Sequence, residues 1–388
     1  MTATISSFSY HIPTAIEFGW GSLARLPSLV KGLGGTRVFL VGDPGVAKAG
    51  LVDRVISTLS DAGVPAVAFT DVESDPDVRS VDKGVQVAKS EGCDAVVGIG
   101  GGSALDTAKA IGLMLTNPGN IRDYVGLGKV EQAGAPVIAI PTTAGTGSEL
   151  TVWSVLSDKE KKVKISVGSV LNCPRIALLD PELTISLPPT VTAATGMDAL
   201  THALESYVNT ATQPISEAMS DQAMTLIARS LSKAVADGSD VEARGDMLLA
   251  STIAAMAFNS TRLGLVHAFA MPLGAKFGIP HGLVNAIMLP EVMRFNHLAN
   301  PRKFARIAEI FGEKTAGLSV EEAAALSVSA IEKLKLDVGI TAKLSNFGVT
   351  EGRFDEIVDE AMLSGNVPVN PRQPTKDDMK ALLRAELV

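Results

Sequence analysis

Cysteine, positive charge and long apolar runs are all scarce in this chain of 388 residues. The two cysteines, Cys93 and Cys173, are too far apart for a Cys-x-x-Cys motif, which excludes a disulfide framework and suits a reducing compartment. Acidic residues outnumber basic ones by 42 to 34, so the formal net charge is -8. This balance argues against a nucleic-acid backbone as the partner.

Neither a leader nor a membrane span is predicted. The N-terminal sequence MTATISSFSYHIP lacks a basic stretch followed by an apolar run, which is the usual form of a signal peptide. We find no uninterrupted apolar stretch in the sequence that is long enough to cross a bilayer. We therefore expect a cytoplasmic protein.

The pattern of the chain changes near Pro188 and Pro189, and its length already suggests two domains. Before this point, short β-branched runs alternate with helical patterns and end in Gly, Asp or Pro turns, as parallel strands do. These runs are residues 38–41, 66–69, 95–99 and 137–140. From Thr190 onward the pattern is almost wholly helical, for example over residues 247–258 and 320–334. We predict an α/β domain with a parallel sheet (residues 1–188) and an all-α domain (residues 189–388).

Histidine is rare as well, but three of the five histidines lie in two short segments. Asp198 and His202 are four residues apart in TGMDALTHALESY, and His267 and His281 bracket HAFAMPLGAKFGIPH. Because side chains four residues apart share a helix face, Asp198 and His202 can bind one ion together. Imidazole and carboxylate without thiolate suit iron, zinc, manganese or nickel.

An apolar stripe predicts that the Asp198 segment is a helix whose metal-binding pair faces away from the core. The stripe consists of Leu200, Ala203, Leu204 and Tyr207. Glu205 follows on the same face, where the sequence leaves open a hydrogen bond to His202 or plain exposure.

A glycine turn (residues 98–109, GIGGGSALDTAK) follows the third β-branched run and begins a helix. Backbone N–H groups that glycines leave bare can face a pyrophosphate at the positive end of that helix. The turn is not a Rossmann fingerprint, because Ser103 stands where the third glycine would be. Tight packing of a strand on a helix also requires glycine, so this turn alone leaves both interpretations open.

A second turn, the hydroxyl loop (residues 141–149, PTTAGTGSE), follows the fourth run. Ligands of open α/β sheets bind at such carboxyl ends of strands. Asp43 follows the first run, where a carboxylate can accept bonds from an adenosine ribose and repel a 2′-phosphate, which favours NAD over NADP. The alternative is that residues 42–45 are only a turn.

The chain contains the motifs GIGGGSALDTAKAIG, IPTTAGTGSE, ALLDPELTISLPP, TGMDALTHALESY, HAFAMPLGAKFGIPHGLVNAIMLPEVMRFN and NPRQPTKDDMKALL. Together they strongly resemble the iron-containing, group III alcohol dehydrogenases, essentially from end to end. By this resemblance the metal ligands are Asp198, His202, His267 and His281. The residues implied to line the dinucleotide site are Gly100, Gly101, Gly102, Ser103, Asp106, Thr142, Thr143, Thr146 and Lys164. Asp43 matches the acidic position of members that use NAD.

The resemblance implies a metal-dependent, NAD-linked alcohol dehydrogenase or aldehyde reductase that forms homodimers or larger homo-oligomers. Its substrate would be a small alcohol, either a primary alcohol, a diol or a hydroxy acid. The implied metal is Fe2+, and the ligand set also accepts Zn2+ or another divalent ion. The ion would polarise the substrate oxygen while hydride passes to the nicotinamide.

Two alternatives belong to other classes. A dehydroquinate-synthase-like lyase or cyclase would need many Lys and Arg side chains around its metal, and the segments near His267 and His281 offer few. A maleylacetate-type reductase works without metal, and the intact set of one aspartate and three histidines argues against it.

The chain departs from the family pattern at Met271, where many members carry a second histidine that is often proposed as a proton carrier. A methionine makes the pocket more apolar, so we expect the proton to leave through water or ribose hydroxyls. His11 and His297 match no ligand position and are predicted to be structural. Lys164 lies in a lysine cluster that predicts a mostly solvated loop.

Overall fold

The computed structural model describes residues 7–161 and 163–388, and it divides into two units. One unit is Ile12–Leu187, and the other is Pro188–Val388 together with the residues up to His11. The domain bounds predicted from sequence place that N-terminal segment with the α/β part instead. It groups with the helical unit because the Tyr10 hydroxyl lies 3.0 Å from Met219 Sδ and 3.1 Å from the Met256 carbonyl oxygen.

The first unit alternates strands and helices. Its strands are β1 (Ala15–Phe18), β2 (Val38–Val41), β3 (Ala66–Phe69), β4 (Ala95–Gly100), β5 (Gly126–Leu127), β6 (Val137–Pro141), β7 (Trp153–Asp158), β8 (Val163–Gly168) and β9 (Ile176–Leu179). Its helices are α1 (Leu26–Gly32), α2 (Pro44–Lys48), α3 (Leu51–Asp61), α4 (Val78–Ser90) and α5 (Gly102–Thr116). Short 3-10 turns cover Ser22–Arg25, Ile121–Tyr124, Val170–Asn172 and Pro181–Thr184.

Six parallel strands form the main sheet in the order β1-β9-β6-β4-β2-β3. The four inner strands are buried throughout, as their apolar sequences require when both faces of a sheet are covered. The parallel sheet and its four predicted strands are confirmed. The sequence analysis missed β1 and β9, which are short and, with sequences AIEF and IALL, carry little β-branched signal.

The strand order reverses between β2 and β4. The chain leaves β2 to form β3 on one side and then returns to form β4 on the other. Ligands of open α/β sheets bind at the carboxyl ends of strands at such a reversal. Asp43 directly follows β2, and Gly100 to Gly102 join β4 to α5. The fold thus brings two predicted cofactor segments to one edge of the sheet.

A second, three-stranded sheet has the order β5-β8-β7, and its β7–β8 hairpin is antiparallel. This hairpin corrects the prediction for the lysine cluster. Lys159 and Lys161 do lie in an exposed turn, but Lys164 belongs to β8 and is half-buried. Lys162 of this cluster lies outside the described residues. The strand forms because Val163, Ile165 and Val167 alternate with polar residues, a pattern that the neighbouring lysines obscure.

The second unit is helical. Its helices are α6 (Pro189–Val208), α7 (Pro214–Ala236), α8 (Val241–Thr261), α9 (Leu265–Phe277), α10 (His281–Asn296), α11 (Pro301–Ile310), α12 (Val320–Asp337), α13 (Phe354–Ala361) and α14 (Lys376–Ala385). Short 3-10 turns cover His297–Ala299, Leu344–Phe347, Glu351–Arg353 and Val367–Val369. Among the described residues, we find no helix with both the length and the apolar character needed to cross a membrane.

Helix α6 lies inside this unit, packed against α7, α8 and α10. Asp198 and His202 are 2% and 5% exposed, so the prediction that the pair faces away from the core is wrong. The apolar stripe is one side of a helix that is buried on nearly all sides. Gly282 lets α10 approach α6 closely, because a Cβ atom there would collide with the Ala194 carbonyl and lie 3.3 Å from Asp198 Cβ.

Candidate functional site

Four side chains from three helices converge in the helical unit. Asp198 and His202 extend from α6, His267 from the first turn of α9, and His281 is the first residue of α10. One ligand atom from each lies within 4.8 Å of the others. Asp198 Oδ1 is 3.8 Å from His202 Nε2 and 3.7 Å from the Nε2 atoms of both other histidines. We call this group the His3Asp cluster.

The connection between α9 and α10 places the last histidine. Helix α9 ends at Gly278, whose left-handed φ of 66° is the usual glycine stop signal. Pro280 then occupies the N-cap position of α10, so the new helix starts directly at His281. The segment GIPH is therefore a tight helix-to-helix turn that returns a second imidazole to the same cluster.

Burial and charge prepare the His3Asp cluster for a cation. Burial alone would raise the pKa of Asp198, but the neighbouring His202 and His281 outweigh it and hold that pKa well below its usual range. Burial opposes protonation of His267, yet the neighbouring carboxylates of Asp198 and Glu205 raise its pKa to about 9. An ionised, buried carboxylate among imidazoles requires positive charge, and a divalent ion can supply it by displacing protons.

Glu205 supports His267, a role that the sequence analysis missed. Its carboxylate lies 2.7 Å from His267 Nδ1 and accepts the backbone N–H groups of Gly264 (2.9 Å) and Val266 (2.7 Å). It is 3% exposed and its histidine partner is His267, so neither alternative left open by the sequence, a hydrogen bond to His202 or exposure, is observed. The carboxylate both caps α9 and turns Nε2 of His267 towards the cluster.

Asn285 also reaches the His3Asp cluster. It lies one helical turn after His281 on α10 and is fully buried. Its Nδ2 donates to Asp198 Oδ1 at 2.6 Å. The spacing of four residues from a predicted ligand is the sequence signal that could have identified it.

Other residues near the cluster have plainer roles. The ring of Phe258 packs on His202, with 4.4 Å between centroids. Met271 is half-buried on α9, one turn after His267. His11 is exposed, His297 is half-buried, and neither belongs to the cluster.

In the sheet unit, the glycine turn and the hydroxyl loop touch each other. A Cβ atom on Gly101 would lie 3.4 Å from Thr143 Cγ2, and one on Gly102 would lie 2.9 Å from Thr146 Cγ2. The N-cap of α5 is Gly101, which has no side chain to cover the N–H groups of the first turn. These groups therefore face a surface where an anion can approach closely.

Packing explains a different glycine of the same turn. A Cβ atom on Gly98 would lie 2.7 Å from Ala108 Cβ, so this residue allows β4 to pack on α5. Gly100 has a φ of 143° and lies beside Asp43, whose Oδ2 would be 3.0 Å from an added Cβ. The packing interpretation thus applies to Gly98, whereas phosphate binding stays a prediction for Gly100 to Gly102.

Asp43 borders an open cavity of about 850 Å3 next to this edge of the sheet. Its Oδ1 accepts the N–H groups of Gly45 and Val46 and so caps α2, which means that residues 42–45 lead into a helix rather than forming only a turn. The charged residues that line the cavity are Asp43, Asp71, Glu73, Asp77, Arg79 and Lys83. Four carboxylates against two cations give this cavity a negative balance.

Several predicted cofactor residues make hydrogen bonds or ion pairs within the protein. Asp106 accepts from the Ser148 hydroxyl (2.5 Å) and the Val155 N–H (2.9 Å). The Ser103 hydroxyl donates to the Ser74 carbonyl at 2.6 Å, and Lys164 Nζ lies 3.1 Å from Asp75 Oδ1. The Asp106–Ser148 bond joins the glycine turn to the hydroxyl loop. Thr142 does the same through its backbone N–H, which donates to the Gly100 carbonyl at 3.0 Å.

A glycine turn at the reversal point of a parallel sheet, with a His3Asp cluster in a separate helical unit, defines a metal-dependent dehydrogenase. The family described as iron-containing alcohol dehydrogenase matches residues 13–181, and the description Fe-containing alcohol dehydrogenase family, C-terminal, matches residues 192–387. The chain belongs to the iron-containing alcohol dehydrogenase family.

Individual relatives match over nearly their whole length. A 1,3-propanediol dehydrogenase from Citrobacter freundii is 42% identical over 379 residues, which cover 97% of this chain and 98% of the relative. An NAD-dependent methanol dehydrogenase from Bacillus methanolicus is 40% identical over 379 residues, covering 98% and 100%. The crystal structure of a 1,3-propanediol oxidoreductase is similar with a TM-score of 0.96 at 41% identity, covering 98% of this chain and 100% of that chain.

These findings confirm the predicted enzyme class. The chain is an alcohol dehydrogenase, an oxidoreductase that acts on CH–OH groups. The predicted cofactors are confirmed at the level of the family, which is iron-containing by description and has an NAD-dependent member among these relatives. The comparisons favour neither the lyase nor the metal-free reductase.

Proposed function

We propose that this enzyme interconverts a small primary alcohol or diol and its aldehyde, using NAD and a divalent metal held by Asp198, His202, His267 and His281. The observation that carries the proposal is the convergence of one carboxylate oxygen and three imidazole nitrogens within 4.8 Å. The names of two relatives support the substrate class, because 1,3-propanediol and methanol are both small primary alcohols. A hydroxy acid is the third kind of substrate that the family resemblance predicts.

The residues present fit a divalent ion. Tetrahedral ligands at about 2.1 Å from an ion lie roughly 3.4 Å from one another. The distances of 3.7 and 3.8 Å from Asp198 Oδ1 therefore need only a small contraction. Three nitrogens and one oxygen without sulfur suit Fe2+ or Zn2+. When bound, such an ion supplies Lewis acidity that polarises the substrate oxygen and lowers the pKa of the alcohol.

The protein's own contribution is to position groups and to shape access. Three of the four ligands are buried, whereas the His281 side chain is 44% exposed, so a substrate approaches from the His281 side. Met271 gives this region an apolar side chain and no ionisable group. The proton of the alcohol would then leave through water or ribose hydroxyls rather than through a side chain at this position. NAD accepts the hydride.

In the sheet unit, we assign the dinucleotide to the edge where Asp43, the glycine turn and the hydroxyl loop meet. The bare N–H groups at the start of α5 suit a pyrophosphate, and Thr142, Thr143 and Thr146 supply hydroxyls beside it. Asp106 would act by bracing the two loops, since its oxygens already accept bonds from the protein. Ser103 and Lys164 complete the predicted lining.

Replacing Asp43 with asparagine should relax the preference for NAD. Asparagine can still cap α2 through its side-chain oxygen, but it removes the charge that repels a 2′-phosphate. We expect the kcat/KM ratio of NADP to NAD to rise by about tenfold or more, equivalent to ~1.4 kcal/mol of discrimination. The control is Asp53→Asn, an exposed carboxylate on α3 that does not line the cavity. An unchanged ratio in Asp43→Asn would refute the assignment of this residue.

The proposed reaction is tested with chelator-treated protein. NADH formation and consumption are followed with a panel of small alcohols, diols, hydroxy acids and aldehydes, with and without added Fe2+ or Zn2+. We expect activity to be lost on metal removal, restored on addition, and highest with a small primary alcohol or diol. Metal binding without hydride transfer to any panel member would contradict the substrate class.

Two further predictions concern the cellular location and the oligomeric state. Both cysteines are free and buried, which supports the predicted cytoplasmic location. A homodimer or larger homo-oligomer is expected from the family resemblance. Size-exclusion chromatography with light scattering measures the oligomeric state directly.

A further inference from the structure

Asn285 faces three of the four atoms of the His3Asp cluster. Its Nδ2 is 2.6 Å from Asp198 Oδ1, 3.1 Å from His267 Nε2 and 3.3 Å from His281 Nε2. The side chain is fully buried, so water does not compete for these bonds. One amide nitrogen thus contacts the carboxylate and two of the three imidazoles that would surround an ion.

We propose that Asn285 is a positioning residue that sets the metal affinity of the cluster by holding the Asp198 carboxylate. This inference rests on the metal site of the proposed function. A hydrogen bond from an amide to an ionised, buried carboxylate is short and strong. It fixes the direction of Asp198 Oδ1, the atom nearly equidistant from all three histidines. Without it, the carboxylate would rotate away from the geometry that an ion requires.

The amide also has a competing effect. An NH2 group carries two hydrogens, and the bond to Asp198 uses one of them. The second faces His281 Nε2 at 3.3 Å, an atom that an ion must coordinate. Asn285 therefore holds the ligands together before the ion arrives, and it gives up its imidazole contact when the ion binds. Its bond to Asp198 remains compatible with an occupied site, because a carboxylate oxygen has two lone pairs.

The other end of the side chain argues against a purely structural role. Asn285 Oδ1 is buried and has no hydrogen-bond partner in the part of the chain that the structure describes. By contrast, Asn296, on the same helix, exchanges two bonds with Asn370: its Nδ2 donates to Asn370 Oδ1 at 3.0 Å, and its Oδ1 accepts from Asn370 Nδ2 at 2.8 Å. Most buried side-chain amides satisfy both ends, as that pair does. The position of Asn285 is instead explained by its nitrogen.

The test measures metal affinity rather than turnover. The apparent dissociation constant of the full-length protein for Zn2+ is determined by chelator competition for the wild type, Asn285→Ala and Asn285→Leu. We expect both substitutions to weaken binding by about 10- to 100-fold. Leucine preserves the side-chain volume, so it separates the lost hydrogen bond from a cavity. Asn296→Ala is the matched control on α10, and its affinity should stay within about twofold of wild type, the scatter expected for a distant site.

The visible absorption spectrum of Co2+-loaded protein provides a second measurement. Its band positions and intensities report coordination geometry, so the two Asn285 variants should differ from wild type while Asn296→Ala does not. Wild-type affinity and spectrum in both Asn285 variants would overturn the inference. An equal loss in Asn296→Ala would also overturn it, because the effect would then reflect the stability of α10.

The inference and the proposed metal centre fail in different ways. If His267→Ala loses Zn2+ binding but Asn285→Ala and Asn285→Leu do not, the metal centre stands and the positioning role is refuted. If His267→Ala binds Zn2+ as tightly as wild type, the metal centre itself is refuted, and the role of Asn285 with it.

Discussion

Replacing His267 with alanine should remove both metal binding and activity. Apparent metal-binding energies of ~10–16 kcal/mol shared by four ligands give about 3 kcal/mol for each, or roughly a 100-fold loss of affinity. Glu205 holds the His267 imidazole in position. A water molecule that replaced this imidazole as a ligand would not be held in the same way. Metal content after dialysis and the rate of NADH formation with excess metal would measure the two effects separately.

His297→Ala provides the matched control for this change. His297 is half-buried, directly follows α10, and contacts the Arg294 carbonyl through Nδ1 at 2.8 Å. The same substitution there should leave metal content and rate unchanged. If His267→Ala retained full metal content and turnover, the His3Asp cluster would not be the metal centre.

Replacing Glu205 with glutamine should weaken the metal site without removing a ligand. Glutamine is nearly isosteric, but it lacks the charge that holds His267 and has one acceptor oxygen where Glu205 uses two, so one of the two backbone N–H bonds at the start of α9 is lost as well. Loss of such a partner typically lowers metal affinity by about 10- to 100-fold. The measurement is chelator competition with Zn2+ at several pH values.

The pH dependence has a definite sign. In the metal-free protein the pKa of His267 is raised to about 9, so below that pH an incoming ion must displace a proton. Metal affinity should therefore increase as the pH rises towards 9 and then level off. Because Glu205 helps to raise this pKa, Glu205→Gln should level off at a lower pH. Glu217→Gln, which alters a half-buried ion pair with Lys303, should behave as wild type. An unchanged affinity and profile in Glu205→Gln would contradict the role assigned to this carboxylate.

The sequence was most informative where a local pattern has one structural solution. The run at Val38–Val41 predicts its strand because apolar β-branched residues bounded by turns are typical of buried parallel strands. The sequence was least informative about which other helices pack around a given helix. The apolar stripe of α6 correctly indicates a helix, but it does not show that α7, α8 and α10 cover the remaining sides and bury Asp198.

The candidate site divides in the same way. The i, i+4 pair and the two flanking histidines can be identified from spacing, and Glu205 continues the same helix face. The partner of Glu205 is His267 on α9, 62 residues later, and no local pattern specifies that contact. Asn285 shows the same limit. Its spacing from His281 is visible in the sequence, but its bond to Asp198 joins two residues that are 87 positions apart and lie on different helices.

The unequal burial of the four ligands determines how an ion would be exchanged. Asp198, His202 and His267 are enclosed, whereas His281 is the first residue of a helix that follows a glycine-proline turn. Helix ends open locally far more often than whole domains unfold. Dissociation would begin with fraying of this first turn, while three ligands stay in place to recapture the ion. We expect the residence time of a bound metal to follow the local stability of Gly278 to Gly282 more closely than the melting temperature of the enzyme.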